Sequence, residues 1–132
     1  MTNSLKCILY VEDEPDIRAI ATMALDAIGG FKVIACSSGA EALAAASSAN
    51  ADLLLLDVMM PGMDGPSTLK ALRAVPQTAQ TPVIFMTAKV QATEVAYYRQ
   101  LGAIDVIPKP FDPMELSTDI RRIWGESVKG KA

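Results

Sequence analysis

The sequence predicts an α/β domain built on a parallel sheet with helices on both faces, and three observations carry that prediction. Five short apolar runs alternate with segments whose apolar residues recur at helical spacing. The run Leu53-Leu54-Leu55-Leu56 is apolar at every position, the pattern of a strand buried on both faces. Four of the runs end abruptly in residues with chemistry to offer: Glu12-Asp13, Asp57, Thr87 and Lys109. Right-handed crossovers would bring those ends to one edge of the sheet, and sites in such sheets form there, where the strand order reverses.

Each element has a local reason. Residues 7–11 form the first strand, stopped by Glu12-Asp13-Glu14 and Pro15. From Asp16, Ile17, Ile20, Ala21, Ala24 and Ile28 recur as one helical face, which Gly29-Gly30 ends. Phe31 and residues 33–36 give the second strand, and Ser38-Gly39 leads into an Ala-rich helix over 40–49. The third strand is 52–57. Its following loop holds Pro61-Gly62 and Asp64-Gly65, both glycines expected at positive φ, with Pro66 suited to the first turn of the next helix. Leu69, Leu72 and Val75 mark that helix and Pro76 limits it. The fourth strand is 82–86, running into Thr87-Ala88-Lys89. A helix over 92–101, with Val95, Tyr98 and Leu101 along one side, is closed by Gly102. The fifth strand is 104–107. Asp112-Pro113-Met114-Glu115 has the pattern of a helix start, and Leu116, Ile120, Ile123 and Trp124 face inward from the last helix. Residues 1–126 are read as one domain and 127–132 as a short polar tail.

Composition narrows the function. A chain of 132 residues suits one domain, and no apolar run reaches bilayer-crossing length. Without a signal-peptide pattern, a cytoplasmic location is expected. A net charge of −3 with no basic run argues against direct nucleic-acid binding. Cys7 and Cys36 lie within strands and lack a metal-binding spacing, so they read as core thiols in a reducing compartment. The chain has no histidine, which leaves carboxylates, hydroxyls and lysine to carry any chemistry.

Carboxylates crowded into one crevice repel one another, and burying them uncompensated costs several kcal/mol. A hard divalent cation relieves this. Asp13, Asp57, a backbone carbonyl near Met59 and a water held by Glu12 would supply a partial oxygen shell for Mg²⁺. With Lys109 also neutralising a phosphoryl group, the Asp57 carboxylate would attack phosphorus in line to form an acyl phosphate. Thr87 would donate its hydroxyl to a phosphoryl oxygen, and small Ala88 would leave room for the donor. Taken singly, each residue has a plainer role: a strand-end hydroxyl, a surface lysine, acids at a helix N-terminus.

Four motifs together, Val11-Glu12-Asp13-Glu14, residues 56–65 around Asp57, Met86-Thr87-Ala88 and Pro108-Lys109-Pro110-Phe111, span most of the chain. In them the sequence resembles the receiver domain of two-component response regulators, of the stand-alone, chemotaxis-regulator type. The resemblance implies a flavodoxin-like, doubly wound sheet in the order 2-1-3-4-5 and a cis peptide before Pro110. It implies a signalling switch, not a metabolic enzyme, that catalyses its own Mg²⁺-dependent phosphorylation and dephosphorylation at Asp57. The phosphoryl group would come from a sensor histidine kinase or phosphotransfer protein, and a downstream protein target would read the face formed by helix four, strand five and helix five. Many receivers carry Tyr or Phe midway along strand five as a partner to the switching Thr87; here Val106 stands there.

Three other readings share parts of this pattern. A flavin carrier of the same fold needs hydroxyl and glycine donors after strand one, where this chain has acids. Haloacid-dehalogenase-type phosphatases have a second Asp two residues after the nucleophile, where this chain has Met59. A receiver used only for docking, without phosphorylation, is the alternative of a different class.

Overall fold

The structure is a computed structural model that describes residues 4–130, with the backbone alone for 128–130. Five parallel strands, β1 (Cys7–Val11), β2 (Lys32–Cys36), β3 (Leu53–Asp57), β4 (Val83–Thr87) and β5 (Ala103–Pro108), form one sheet in the order β2-β1-β3-β4-β5. This is the expected flavodoxin-like order. It reverses between β1 and β3, which pair directly, so their carboxyl ends open a crevice.

Strand alternation sorts the core into two layers. Leu9, Val11, Leu54, Leu56 and Phe85 face α2 (Gly39–Ala49), α3 (Gly65–Arg73) and α4 (Ala92–Gln100). Ile8, Tyr10, Leu53, Leu55, Ile84 and Met86 face α1 (Pro15–Met23) and α5 (Leu116–Gly130). All four leucines of β3 are fully buried. Each such side chain contributes roughly 1.5–3 kcal/mol, so the strand that ends in Asp57 is firmly anchored. Cys7 and Cys36 are free and buried, as expected of core thiols.

Several expectations need correction. The helical face read from Asp16 does not stay in phase: after Met23 the chain makes a π-helical stretch, Ala24–Ile28, with Gly29 N–H donating to the Ala24 carbonyl at 3.0 Å. Widening the turn by a residue rotates the stripe. Ala21, Ala24 and Leu25 are buried, while Ile28, at the end of the wide turn, is 48% exposed; Ile20, ahead of it in α1, is 43% exposed on its own account. Leu101 lies beyond the last turn of α4 and is also exposed, leaving Tyr98 as that helix's buried anchor. Asp112 starts a turn, its carboxylate accepting from Met114 N–H at 2.9 Å, and the α-helix itself begins at Leu116. That helix runs on to Gly130, through most of the stretch read as a tail; residues 131 and 132 lie outside those described.

The loop after β3 is set by two glycines for different reasons. Gly62 has φ +76°, the left-handed conformation that favours glycine. Gly65 does not have positive φ; it is required because a Cβ there would sit 2.6 Å from the Asp57 carbonyl oxygen and 2.9 Å from Val58 Cα. Asp64 caps α3 by accepting from Ser67 N–H at 2.8 Å, and Pro66 occupies its first turn. The helix start thus lies directly against the strand end. Gly65→Ala is expected to lose about 1–3 kcal/mol, since only backbone atoms are available to give way. Urea denaturation of the two proteins measures this, and equal midpoints would show that the loop absorbs the methyl group.

Candidate functional site

The four strand ends meet. β1 leads into Glu12, whose N–H donates to the Cys36 carbonyl at 3.0 Å and whose side chain is fully buried. β3 delivers Asp57, 2% exposed, and Val58 N–H continues the ladder onto Met86 at 3.0 Å. β4 ends at Thr87, also buried. Lys109 follows β5, its N–H donating to the Thr87 carbonyl at 2.9 Å, and its bond to Pro110 is cis, as expected.

Carboxylate oxygens of Glu12, Asp13 and Asp57 lie within 4.8 Å of one another. The Lys109 ammonium reaches two of these groups, at 3.0 Å from Glu12 Oε1 and 3.3 Å from Asp57 Oδ1. One cation among three acids leaves the cluster under-neutralised. Burial, followed by the hydrogen-bonding and charge of Glu12, pushes the Asp57 carboxyl up to about 7, and Lys109 only partly offsets this. Burial also works against the Lys109 ammonium, but its hydrogen bond to Glu12 and the two carboxylate charges outweigh it and hold the lysine above its ordinary value.

The oxygens divide into engaged and open. Glu12 Oε1 accepts from Lys109, and Oε2 accepts from Glu14 N–H at 3.3 Å. Asp13 Oδ1 is buried without a hydrogen-bond partner, and Asp57 Oδ1, also buried, makes no hydrogen bond and meets only the Lys109 ammonium at 3.3 Å. Buried carboxylate oxygens left open cost free energy unless something charged meets them. A hard, oxygen-seeking cation fits this donor set, and Glu12, Asp13 and Asp57 are the residues that would hold it. The Mg²⁺ expected from the sequence therefore suits the residues present. Met59, whose carbonyl was expected to contribute, lies just beyond buried Val58 and is 63% exposed.

Thr87 Oγ1 accepts from Lys89 N–H at 3.1 Å, a bond that leaves its own proton free to be donated. Ala88 beside it is exposed, so the mouth of the site is open there. Val106 is half-buried in the layer that contains Phe85 and Tyr98, pairing with Phe85 across β4 and β5. The ring absent from β5 has a neighbour instead: Tyr98 of α4 stacks at a tilt on Phe85 with centroids 5.4 Å apart. Arg18 was missed in the sequence. Its guanidinium donates to the Glu12 carbonyl at 2.8 Å, and only its position one helical turn into α1 after the acids hinted at this.

Known proteins share both sequence and shape. The family described as "Response regulator receiver domain" matches residues 8–121. The transcriptional regulatory protein CpxR of Klebsiella pneumoniae is 44% identical over 120 residues, covering 91% of this chain and 50% of the relative. The chain spans about half the length of such curated relatives. Among solved structures, the chemotaxis response regulator CheY4 of Vibrio cholerae superposes with a TM-score of 0.81 at 31% identity, covering 91% of this chain and 99% of that one. A CheY-like receiver domain protein from Methanospirillum hungatei gives 0.79 at 26% identity, with 96% and 99% covered.

The raised Asp57 pKa has a consequence for stability. Unfolded, the carboxyl would titrate near its ordinary value; folded and without metal, it holds its proton up to about 7. Between those values the native state binds more protons, so metal-free protein loses stability as pH rises through this window, on the order of 2–4 kcal/mol. Asp57→Asn should remove that loss and be the more stable protein at pH 8. Urea denaturation in EDTA from pH 4 to 8 measures the difference, and parallel profiles would show that Asp57 ionises without penalty.

The buried acid cluster, its single lysine and the matching sheet order agree with these comparisons, and the chain belongs to the receiver domains of two-component response regulators, a phosphoacceptor family.

Proposed function

We propose that Asp57 accepts the phosphoryl group, and that this chain is the phosphorylation switch of a two-component pathway in the cytoplasm. The observation that carries this is the buried Asp57 carboxylate, held between the Lys109 ammonium and the open oxygen of Asp13. In the proposed reaction an Asp57 oxygen forms a bond to phosphorus as the bond from phosphorus to a histidine nitrogen of the donor breaks. Asp13, Asp57 and the Met59 carbonyl would hold Mg²⁺, with Glu12 through a water, and the ion would supply positive charge to the phosphoryl oxygens. Lys109 supplies a second, and must exchange its contact with Asp57 for a phosphoryl oxygen to do so. Glu12 keeps Lys109 over the site. Thr87 donates its hydroxyl proton to a phosphoryl oxygen. Met59 offers no general base, so the acyl phosphate should persist long enough to signal.

The donor is a sensor histidine kinase or phosphotransfer protein. An apolar pocket of about 180 Å³, lined by Ile17, Ile20, Pro110, Phe111 and Pro113, opens beside Lys109 and suits a helix that carries the phosphohistidine. Free buried thiols support the cytoplasmic location. Helices long and apolar enough to cross a membrane are absent among the described residues. The transcriptional role in the names of some relatives belongs to proteins about twice this length.

Incubation with acetyl phosphate and Mg²⁺ should add one phosphoryl mass, absent in Asp57→Asn and formed at least tenfold more slowly in Lys109→Ala, which loses one charged donor. Intact-mass measurement reads all three. Failure of the native chain to label would favour a receiver that docks without phosphorylation.

The signal would pass through Thr87. Drawing its hydroxyl to the phosphoryl group breaks the bond from Lys89 N–H, so residues 88–91 must rearrange, and with them the α4-β5-α5 face that a protein target reads. Val106 provides no ring to lock the moved state, and only differential interaction energy can shift such an equilibrium. Both conformations should therefore remain populated in the beryllofluoride-bound protein, and Val106→Tyr should reduce the exchange. Relaxation-dispersion NMR on amides 87–106 tests this. A single quenched state in the native chain would place the coupling elsewhere.

A further inference from the structure

Glu12 is held at four points, and three of them are accounted for by the sheet and the site: its N–H by Cys36, one carboxylate oxygen by Lys109, the other by Glu14 N–H. The fourth is its carbonyl, which points off the end of β1 where the ladder has stopped. Arg18, from the first turns of α1, donates to it at 2.8 Å. That carbonyl belongs to the peptide joining Glu12 to Asp13. Fixing the peptide plane fixes the Asp13 nitrogen and Cα, the base from which the Asp13 side chain departs, and Asp13 carries the open buried oxygen.

We propose that Arg18 is a positioning residue for the cation site: by clamping the Glu12–Asp13 peptide it aims the Asp13 carboxylate at the space shared with Asp57. The inference rests on the Mg²⁺ site described above. It is separable from a simple charge effect because the two have opposite signs. A positive guanidinium close to a cation site repels the cation, so deleting it without loss of geometry would tighten Mg²⁺ binding. If aiming Asp13 is the larger effect, deleting it weakens binding. Partners in the outer shell of metal sites contribute roughly 10- to 100-fold in affinity, and a partner acting through backbone belongs at the low end.

Arg18→Met keeps the apolar stem and removes the donor. Arg73→Met is the matched control, because Arg73 likewise donates to backbone carbonyls, those of Thr78 at 2.8 Å and Thr81 at 2.5 Å, on the far side of α3. Mg²⁺ titrated against the chemical shifts of the metal-free proteins gives a dissociation constant for each without reference to phosphorylation, and urea denaturation in EDTA gives stability. The expected result is about tenfold weaker Mg²⁺ binding in Arg18→Met, an unchanged constant in Arg73→Met, and partial recovery in Arg18→Lys. Equal or tighter binding in Arg18→Met overturns the inference, as does an equal loss in Arg73→Met, which would trace it to general loosening. Absence of Mg²⁺ binding in the native chain would overturn the metal site itself and this inference with it.

Discussion

Three carboxylates and one ammonium share the desolvated edge between β1 and β3, and the rest of the structure is arranged so that this unfavourable grouping persists. Left to itself, like charge at such separation drives side chains apart into water. Here they cannot move. Asp57 ends a strand whose four leucines are wholly buried, and Glu12 is fastened through both its backbone and its side chain. The hydrophobic layers therefore hold in place an electrostatic arrangement that would not form alone, and the raised Asp57 pKa is a measure of that constraint.

Lys109 is what keeps the constraint tolerable. It enters from the strand farthest from β2 in the sheet, yet bridges Glu12 and Asp57, drawing β1, β3 and β5 together at one point. Its backbone is tied to Thr87, so its position is set by the same edge that carries the Thr87 hydroxyl. A change in charge on Asp57 is thereby felt by the lysine and, through one shared backbone bond, by the end of β4. The acid cluster and the Thr87 hydroxyl are adjacent because the strand order makes them so.

One layer of the core sets Val106 among two aromatic rings from other elements. Phe85 on β4 and Tyr98 on α4 stack against each other in the layer that holds Val106. Tyr97, its rings also 5.4 Å from Tyr98, is half exposed on the surface. Aromatic mass in this layer is thus shared between β4 and α4 and not carried by β5.

Much of this was legible in the sequence. Consecutive apolar residues in β3, acids after β1 and the Thr87 and Lys109 strand ends carried fold, edge and chemistry together, because burial and alternation are local properties of a chain that folds as β-α-β. Pattern could not supply phase or contact. A π-helical stretch at Ala24–Ile28 turns Ile28 outward although its spacing is helical, because one wider turn alters every later direction. Gly65 reads as a turn glycine, yet is needed for the close approach of a helix to the carbonyl of Asp57. Which oxygens of the acid cluster are occupied, and that Arg18 holds the peptide between two of its members, depend on atoms brought together by packing, so only the tertiary structure decided them.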